Sequence, residues 1–149
     1  KSILDLPATV ERLETLGVSV VGYRTDEFPG FFTARTGIRL ATVAVSAAEI
    51  ARAFVAGRSL GRAAGVLVVQ PPPANAALDP EAVDAAVSHA LREADAAGIR
   101  GGAVTPFLLA AVERATGGAS VRTNLALLEA NARLAGEIAV ALAAERVRD

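Results

Sequence analysis

Cysteine, methionine and tryptophan are absent from the 149 residues, and aromatic side chains make up only 4% of them. Without cysteine there are no disulfides, thiolate metal sites or thiol catalysis, which fits a cytoplasmic protein. With so few rings, the interior has to be built from Ala, Val, Leu and Ile, whose small side chains let elements pack closely. A net charge of −1 leaves no basic field for nucleic acid and no polybasic patch for a membrane surface. No apolar run approaches the roughly 18–20 residues that span a bilayer, and no signal peptide is legible. No GxGxxG follows a strand, and P-loop, GxSxG, HExxH and spaced-cysteine motifs are missing too. The lack of Met even at position 1 leads to the expectation of a processed piece or part of a longer chain. At this length a single domain with a real core is expected over residues 1–149.

Lysine is nearly absent as well. Lys1 is the only one, and the other basic residues are arginines. Arginine stays charged under all practical conditions, whereas a desolvated lysine can lose its proton and act as a nucleophile. Taken alone, Lys1 is either a solvated charge or such an amine.

What is present alternates between helical and extended patterns, the mark of an α/β fold. Asp5 followed by Pro7 predicts a capped helix carrying Val10, Leu13 and Leu16 and stopping at Gly17. Ser2 to Leu4 is either an earlier turn or a connector. Val18–Gly22 reads as a short buried strand, and Ile38–Val45 as a second. Ser46 with Glu49 forms a capping-box pattern before a helix with Ile50, Phe54 and Val55 inward, ending at Gly57 or Gly61. Val66–Val69 is apolar throughout and predicts a central strand covered on both faces. Asp79–Pro80 starts a helix to about Ala97, with Val83, Val87, Ala90 and Leu91 inward. Thr105–Pro106 repeats the cap-then-proline start, Gly117–Gly118 closes that helix, and a long Ala/Leu helix runs from about Ser120 to Val147.

Between these elements stand the candidate functional segments. Tyr23 to Gly37 carries the single Tyr, three of the five Phe, and the acids Asp26 and Glu27. Such a loop either packs as a lid over the core or a neighbouring subunit, or turns its acids toward a cleft. Gln70-Pro71-Pro72-Pro73 cannot extend a ladder, and it follows the carboxyl end of the strongest strand, where ligands bind in open α/β sheets. Residues 70–77 are therefore a candidate cleft wall. His89 lacks any partner pattern and reads as a surface residue. Asn124 and Asn131, seven apart, share a helix face with Leu128, Ala135 and Ile138. Amides on an apolar stripe must find partners, so they bond either neighbouring backbone or a ligand. An amide offers a donor and an acceptor side by side, which suits an imide edge such as uracil's.

Three blocks taken together resemble the pseudouridine-5'-phosphate glycosidase family, whose fold is also named for indigoidine synthase A. They are Lys1-Ser2-Ile3-Leu4-Asp5-Leu6-Pro7-Ala8-Thr9, Gly22-Tyr23-Arg24-Thr25-Asp26-Glu27-Phe28-Pro29, and Thr105-Pro106-Phe107-Leu108-Leu109 with Thr123-Asn124-Leu125-Ala126-Leu127 and Asn131-Ala132-Arg133-Leu134-Ala135. Their order spans essentially the whole chain, which looks like the C-terminal half of an enzyme about twice as long. The resemblance implies a three-layer α/β/α fold around a mostly parallel or mixed sheet, a homotrimer, and a divalent metal, typically manganese, held by residues outside this segment. The implied partners are a sugar phosphate and a nucleobase or aromatic acceptor, and the implied reaction cleaves or forms the C–C bond between ribose 5-phosphate and uracil.

A carbon–carbon bond has no lone pair to protonate, so the two-carboxylate route of ordinary glycosidases is closed. An imine between lysine and the opened sugar supplies the missing electron sink, and the resemblance gives that role to Lys1. With an ordinary pKa of about 10.4, the amine needs a pocket that lowers it. The resemblance gives contact with the base to Asn124, with Thr105 and Asn131 as lesser candidates. The family's acid–base glutamate, phosphate-binding lysine and metal-ligand aspartate match nothing here. The family also usually reads Asn-Pro-Ile-Pro where this chain has Gln70-Pro71-Pro72-Pro73. A C-glycosynthase joining ribose 5-phosphate to an aromatic polyketide is therefore the first alternative, and a non-catalytic interaction domain the second.

Overall fold

The computed structural model describes residues 5–146. Lys1 and Ser2 to Leu4 lie outside them, as does Val147 at the expected end of the last helix. The elements run α1 (Leu6–Thr15), β1 (Ser19–Tyr23), β2 (Val43–Ala44), α2 (Ala47–Ser59), β3 (Val66–Val69), α3 (Pro80–Ala96), a single 3-10 turn (Gly101–Ala103), α4 (Val104–Ala115) and α5 (Ala119–Arg146). The three strands form one parallel sheet in the order β2-β1-β3, with Ser19 opposite Val66 and Gly22 opposite both Val69 and Val43. A parallel sheet flanked by helices is the α/β/α class expected.

Local chemistry explains most helix starts. The Asp5, Ser46 and Asp79 side chains accept from the backbone N–H of Ala8, Glu49 and Ala82 at 3.0, 3.3 and 2.9 Å, each satisfying a donor that the first turn leaves open. Glu49 reaches back to the Val45 N–H at 2.8 Å, one residue before the cap. The start of α4 differs from expectation. Its cap is Ala103, without a side-chain bond. The preceding 3-10 turn already leads the chain into the helix, so Thr105 sits inside the first turn.

Three apolar clusters lie among the described residues; Ala90, Leu108 and Ala111 join α3 to α4, and the other two reach further. Val21, Ala44 and Ile50 pack with Ile138, joining the sheet to α2 and α5. Phe32, Val83, Val87 and Val112 join the loop after β1 to α3 and α4. Gly22 is where β1 meets that loop: a Cβ there would lie 2.1 Å from the Thr25 carbonyl oxygen, so only glycine fits.

Several expectations need correction. Only Val43–Ala44 of Ile38–Val45 is strand. Arg39 instead bridges antiparallel to Glu27, and Leu40 donates its N–H to the Asp26 carbonyl. Residues 38–40 thus pair with the loop, and only the Thr42 carbonyl, accepting from the Gly22 N–H at 3.0 Å, extends the ladder toward β1. Among the described residues β3 is an edge strand, half-buried throughout, and β1 is central. An apolar run reports that both faces are covered, not that both edges are paired. Leu91 is 47% exposed, because the buried stripe of α3 is Val83, Val87, Ala90 and Ala94, and Leu91 lies one helical step beyond it. On α5 the buried residues are Ser120, Thr123, Leu127 and Leu134, while Leu128 is 55% exposed. The asparagines flank the inward stripe instead of lying on it. Since Val121, Leu125 and Leu128 are apolar too, the sequence pattern alone does not choose the inward side.

Candidate active site

Parallel strands deliver their carboxyl ends to one edge of the sheet. There Tyr23 and Arg24 leave β1, Val45 leaves β2 and Gln70 leaves β3. Arg24 takes a left-handed backbone (φ 55°), donates from Nε to the Val45 carbonyl at 3.1 Å, and places its guanidinium 4.9 Å from the centre of the Tyr23 ring. Gln70 donates from Nε2 to Oδ1 of Asn131 at 2.8 Å. A cleft of about 510 Å³ at this edge is lined by Tyr23, Arg24, Gln70, Asn75, Glu129 and Arg133, among others. The candidate wall after β3 and the asparagine helix are thus brought together.

The wall is pinned a second time. Thr123 is 1% exposed and donates from Oγ1 to the Ala76 carbonyl, while also approaching the Ala119 carbonyl at 3.1 Å. In the sequence Thr123 stands out only as the first residue of the Thr123-Asn124-Leu125-Ala126-Leu127 block. Its spacing from Leu127, one helical turn away on the same stripe, was the available signal.

The loop after β1 is a packed lid, not an acidic cleft wall. Phe28 and Phe32 are buried, and Phe31 meets Phe32 edge-on with ring centres 4.5 Å apart. Glu27 is 5% exposed and fully engaged. Its Oε1 accepts from Nη2 and Nε of Arg35 at 2.7 and 3.3 Å, and its Oε2 from the N–H groups of Gly37 and Thr36 at 3.0 and 3.1 Å. The Arg35 guanidinium, helped by those backbone donors and opposed by burial, holds the carboxyl at about 2. An acid this strong is ionised at neutral pH and poorly matched to general acid work. Asp26 is occupied by an ion pair with Arg39.

This lid touches both candidate regions. Thr33, Arg35 and Thr36 line a cleft of about 320 Å³ with Asp5, Leu6 and Pro7, the residues that follow the Lys1 segment. On its other side, Phe31 and Phe32 line a cleft of about 360 Å³ with Pro106, Leu109, Ser120, Val121 and Asn124. Asn124 is half-buried, and its amide has no hydrogen-bond partner among the described residues. Asn131 is exposed, with its carbonyl occupied by Gln70. The two asparagines therefore differ: one is engaged and one is free. Thr105 is exposed on α4, beside the cleft-lining Pro106. His89 is exposed and 3.6 Å from Glu93. Among the described residues no group of three or more His, Asp or Glu side chains is placed to hold a metal ion. No helix among them is long and apolar enough to cross a membrane.

These features define an α/β protein with one cleft at the carboxyl edge of its sheet and two more lined by the loop after β1. The chain belongs to the indigoidine synthase A like protein family, whose model matches residues 1–141. It is 63% identical over 142 residues to a pseudouridine-5'-phosphate glycosidase of Gemmatimonas aurantiaca, covering 95% of this chain and 46% of that protein. Among solved structures, it is similar to a prealnumycin C-glycosynthase in complex with ribulose 5-phosphate, with TM-score 0.92 and 38% identity over 100% of this chain and 49% of the other. It is also similar to an indigoidine synthase A-like protein of Thermotoga maritima, with TM-score 0.82 and 36% identity over 95% and 46% of the two chains. The chain spans about half the length of the curated relatives it matches.

Proposed function

We propose that this chain contributes the imine-forming and base-reading part of an enzyme that makes or breaks the C–C bond between ribose 5-phosphate and uracil. The observation that carries the reading is Asn124, a half-buried amide without a partner among the described residues, facing a cleft walled by Phe31 and Phe32. The 63% identity to a pseudouridine-5'-phosphate glycosidase supports the choice of substrate.

In the synthetic direction the Lys1 amine condenses with the C1 aldehyde of open-chain ribose 5-phosphate and releases water. The carbon C5 of uracil attacks the iminium carbon, forming the C–C bond while the iminium π pair moves to the lysine nitrogen. Loss of the C5 proton restores the ring. The sugar's 4-hydroxyl then displaces the lysine amine, closing the ribose and freeing Lys1. Cleavage is the reverse. Asn124 offers a donor and an acceptor to the imide edge of uracil, with Asn131 and Thr105 as outer contacts. Lys1 lies outside the described residues. Asp5, Leu6 and Pro7 at the capped start of α1 line one cleft with Thr33, Arg35 and Thr36 of the lid.

Cleavage of pseudouridine 5'-phosphate by the full-length protein, followed as uracil release, tests the reading. The expected results are turnover by the wild type and a rise in KM of about 10-fold or more for Asn124→Ala, as for a lost pair of polar contacts. No uracil release by the wild type contradicts the reading.

One observation favours a second acceptor. The chain superposes along its whole length on half of a C-glycosynthase at TM-score 0.92, and Gln70, at the start of the divergent Gln70-Pro71-Pro72-Pro73 segment, lines a smaller cleft that shares Phe31. A protein that forms the imine with ribose 5-phosphate but ignores uracil supports an aromatic polyketide acceptor.

A further inference from the structure

Of the three Phe in the lid, two are buried, while Phe31 packs against the core cluster around Phe32 and keeps part of its ring open. Phe28 and Phe32 are 7% and 2% exposed, while Phe31 remains half-buried. Phe31 is held with φ at 63°, in the left-handed region that a bulky side chain rarely occupies. The loop fixes it there. Gly30 donates to the Thr33 carbonyl at 3.0 Å, Phe32 to the Gly30 carbonyl at 2.7 Å, and Leu78 to the Phe32 carbonyl at 2.8 Å. The buried Phe32 ring supports it edge-on.

Two clefts share Phe31 as a wall. One, of about 360 Å³, contains the free amide of Asn124. The other, of about 160 Å³, contains Asn131, whose carbonyl is occupied by Gln70. The larger is of ligand size, since small-molecule sites start at about 300 Å³. It pairs an aromatic wall with an unsatisfied amide, the two elements that recognise a planar heterocycle by its face and by its edge.

We propose that Phe31 is the platform on which the planar acceptor lies, its ring stacked on the face of the uracil or arene whose polar edge Asn124 reads. This rests on the acceptor-site reading above and adds the residue that selects flat aromatic acceptors. Phe31 acts on the acceptor and not on the sugar, so its effect falls on one KM of the two.

The test is steady-state coupling of ribose 5-phosphate and uracil by the full-length protein. Phe31→Gly removes the ring and suits a left-handed backbone, so loss of folding is not the expected result; circular dichroism checks it. KM for uracil is expected to rise about 10-fold, the loss of one base–aromatic stack, with KM for ribose 5-phosphate unchanged. Phe31→Tyr, which keeps the ring, is expected to recover most of that loss. An unchanged uracil KM in Phe31→Gly, or an equal rise in both KM values, overturns the platform while leaving the acceptor-site reading intact. If Phe31→Gly does not fold, a Phe31→Leu variant whose uracil KM equals that of the wild type also overturns it. A wild type that couples neither uracil nor an aromatic polyketide overturns the functional reading and this inference with it.

Discussion

Gln70 and Asn131, 61 positions apart, are joined by a hydrogen bond of 2.8 Å from Nε2 to Oδ1. It ties the carboxyl end of β3 to α5 and occupies one lone pair of the Asn131 carbonyl. Because the pair is solvent-accessible, its net worth is modest, about 0.5–1 kcal/mol. A double-mutant cycle of Gln70→Ala and Asn131→Ala in urea unfolding is expected to give a coupling energy of that size. Additive losses mean that the bond contributes nothing in solution.

Thr123 performs the same tethering from inside the core. Thr123→Val keeps the shape but leaves the Ala76 carbonyl without its donor. A stability loss of about 1–3 kcal/mol is expected by urea unfolding, with Thr123→Ser recovering part of it. A loss in Thr123→Val no larger than that of an exposed substitution contradicts the tether.

Glu27 sets an acid dependence. Its carboxyl titrates near 2 in the folded chain against an ordinary 4.5. The ionised form is the one the fold prefers, so its contribution is present in full above pH 4.5 and is lost as pH falls through 2. Glu27→Gln is expected to lower stability at neutral pH and to flatten the pH dependence across that window. Parallel wild-type and variant curves in acid unfolding contradict the assignment.

The helices were readable because their signals are local. Asp5, Ser46 and Asp79 each announce a start within three residues, and Gly17 announces a stop. The extent of β2 was not readable. Residues 38–42 look like strand, but Arg39 and Leu40 are taken by the lid, a partner that no local pattern names. The aromatic crowding of residues 23–37 correctly marked a packed loop. It did not distinguish Phe31 from Phe28 and Phe32, because exposure depends on α3 and α4 arriving from later in the chain. Asn124 and Asn131 looked equivalent at seven-residue spacing. Only the reach of Gln70 from across the sheet separates the engaged amide from the free one.

The central claim is that Lys1 forms an imine with the sugar. The full-length protein, incubated with ribose 5-phosphate and borohydride and then digested, reports this directly in the mass of the peptide carrying Lys1. The predicted gain is one ribose 5-phosphate less one oxygen, the balance of losing water and gaining two hydrogens on reduction. The gain should be absent in Lys1→Arg, which keeps the charge without a condensable amine. An unmodified Lys1 peptide in the wild type contradicts the account.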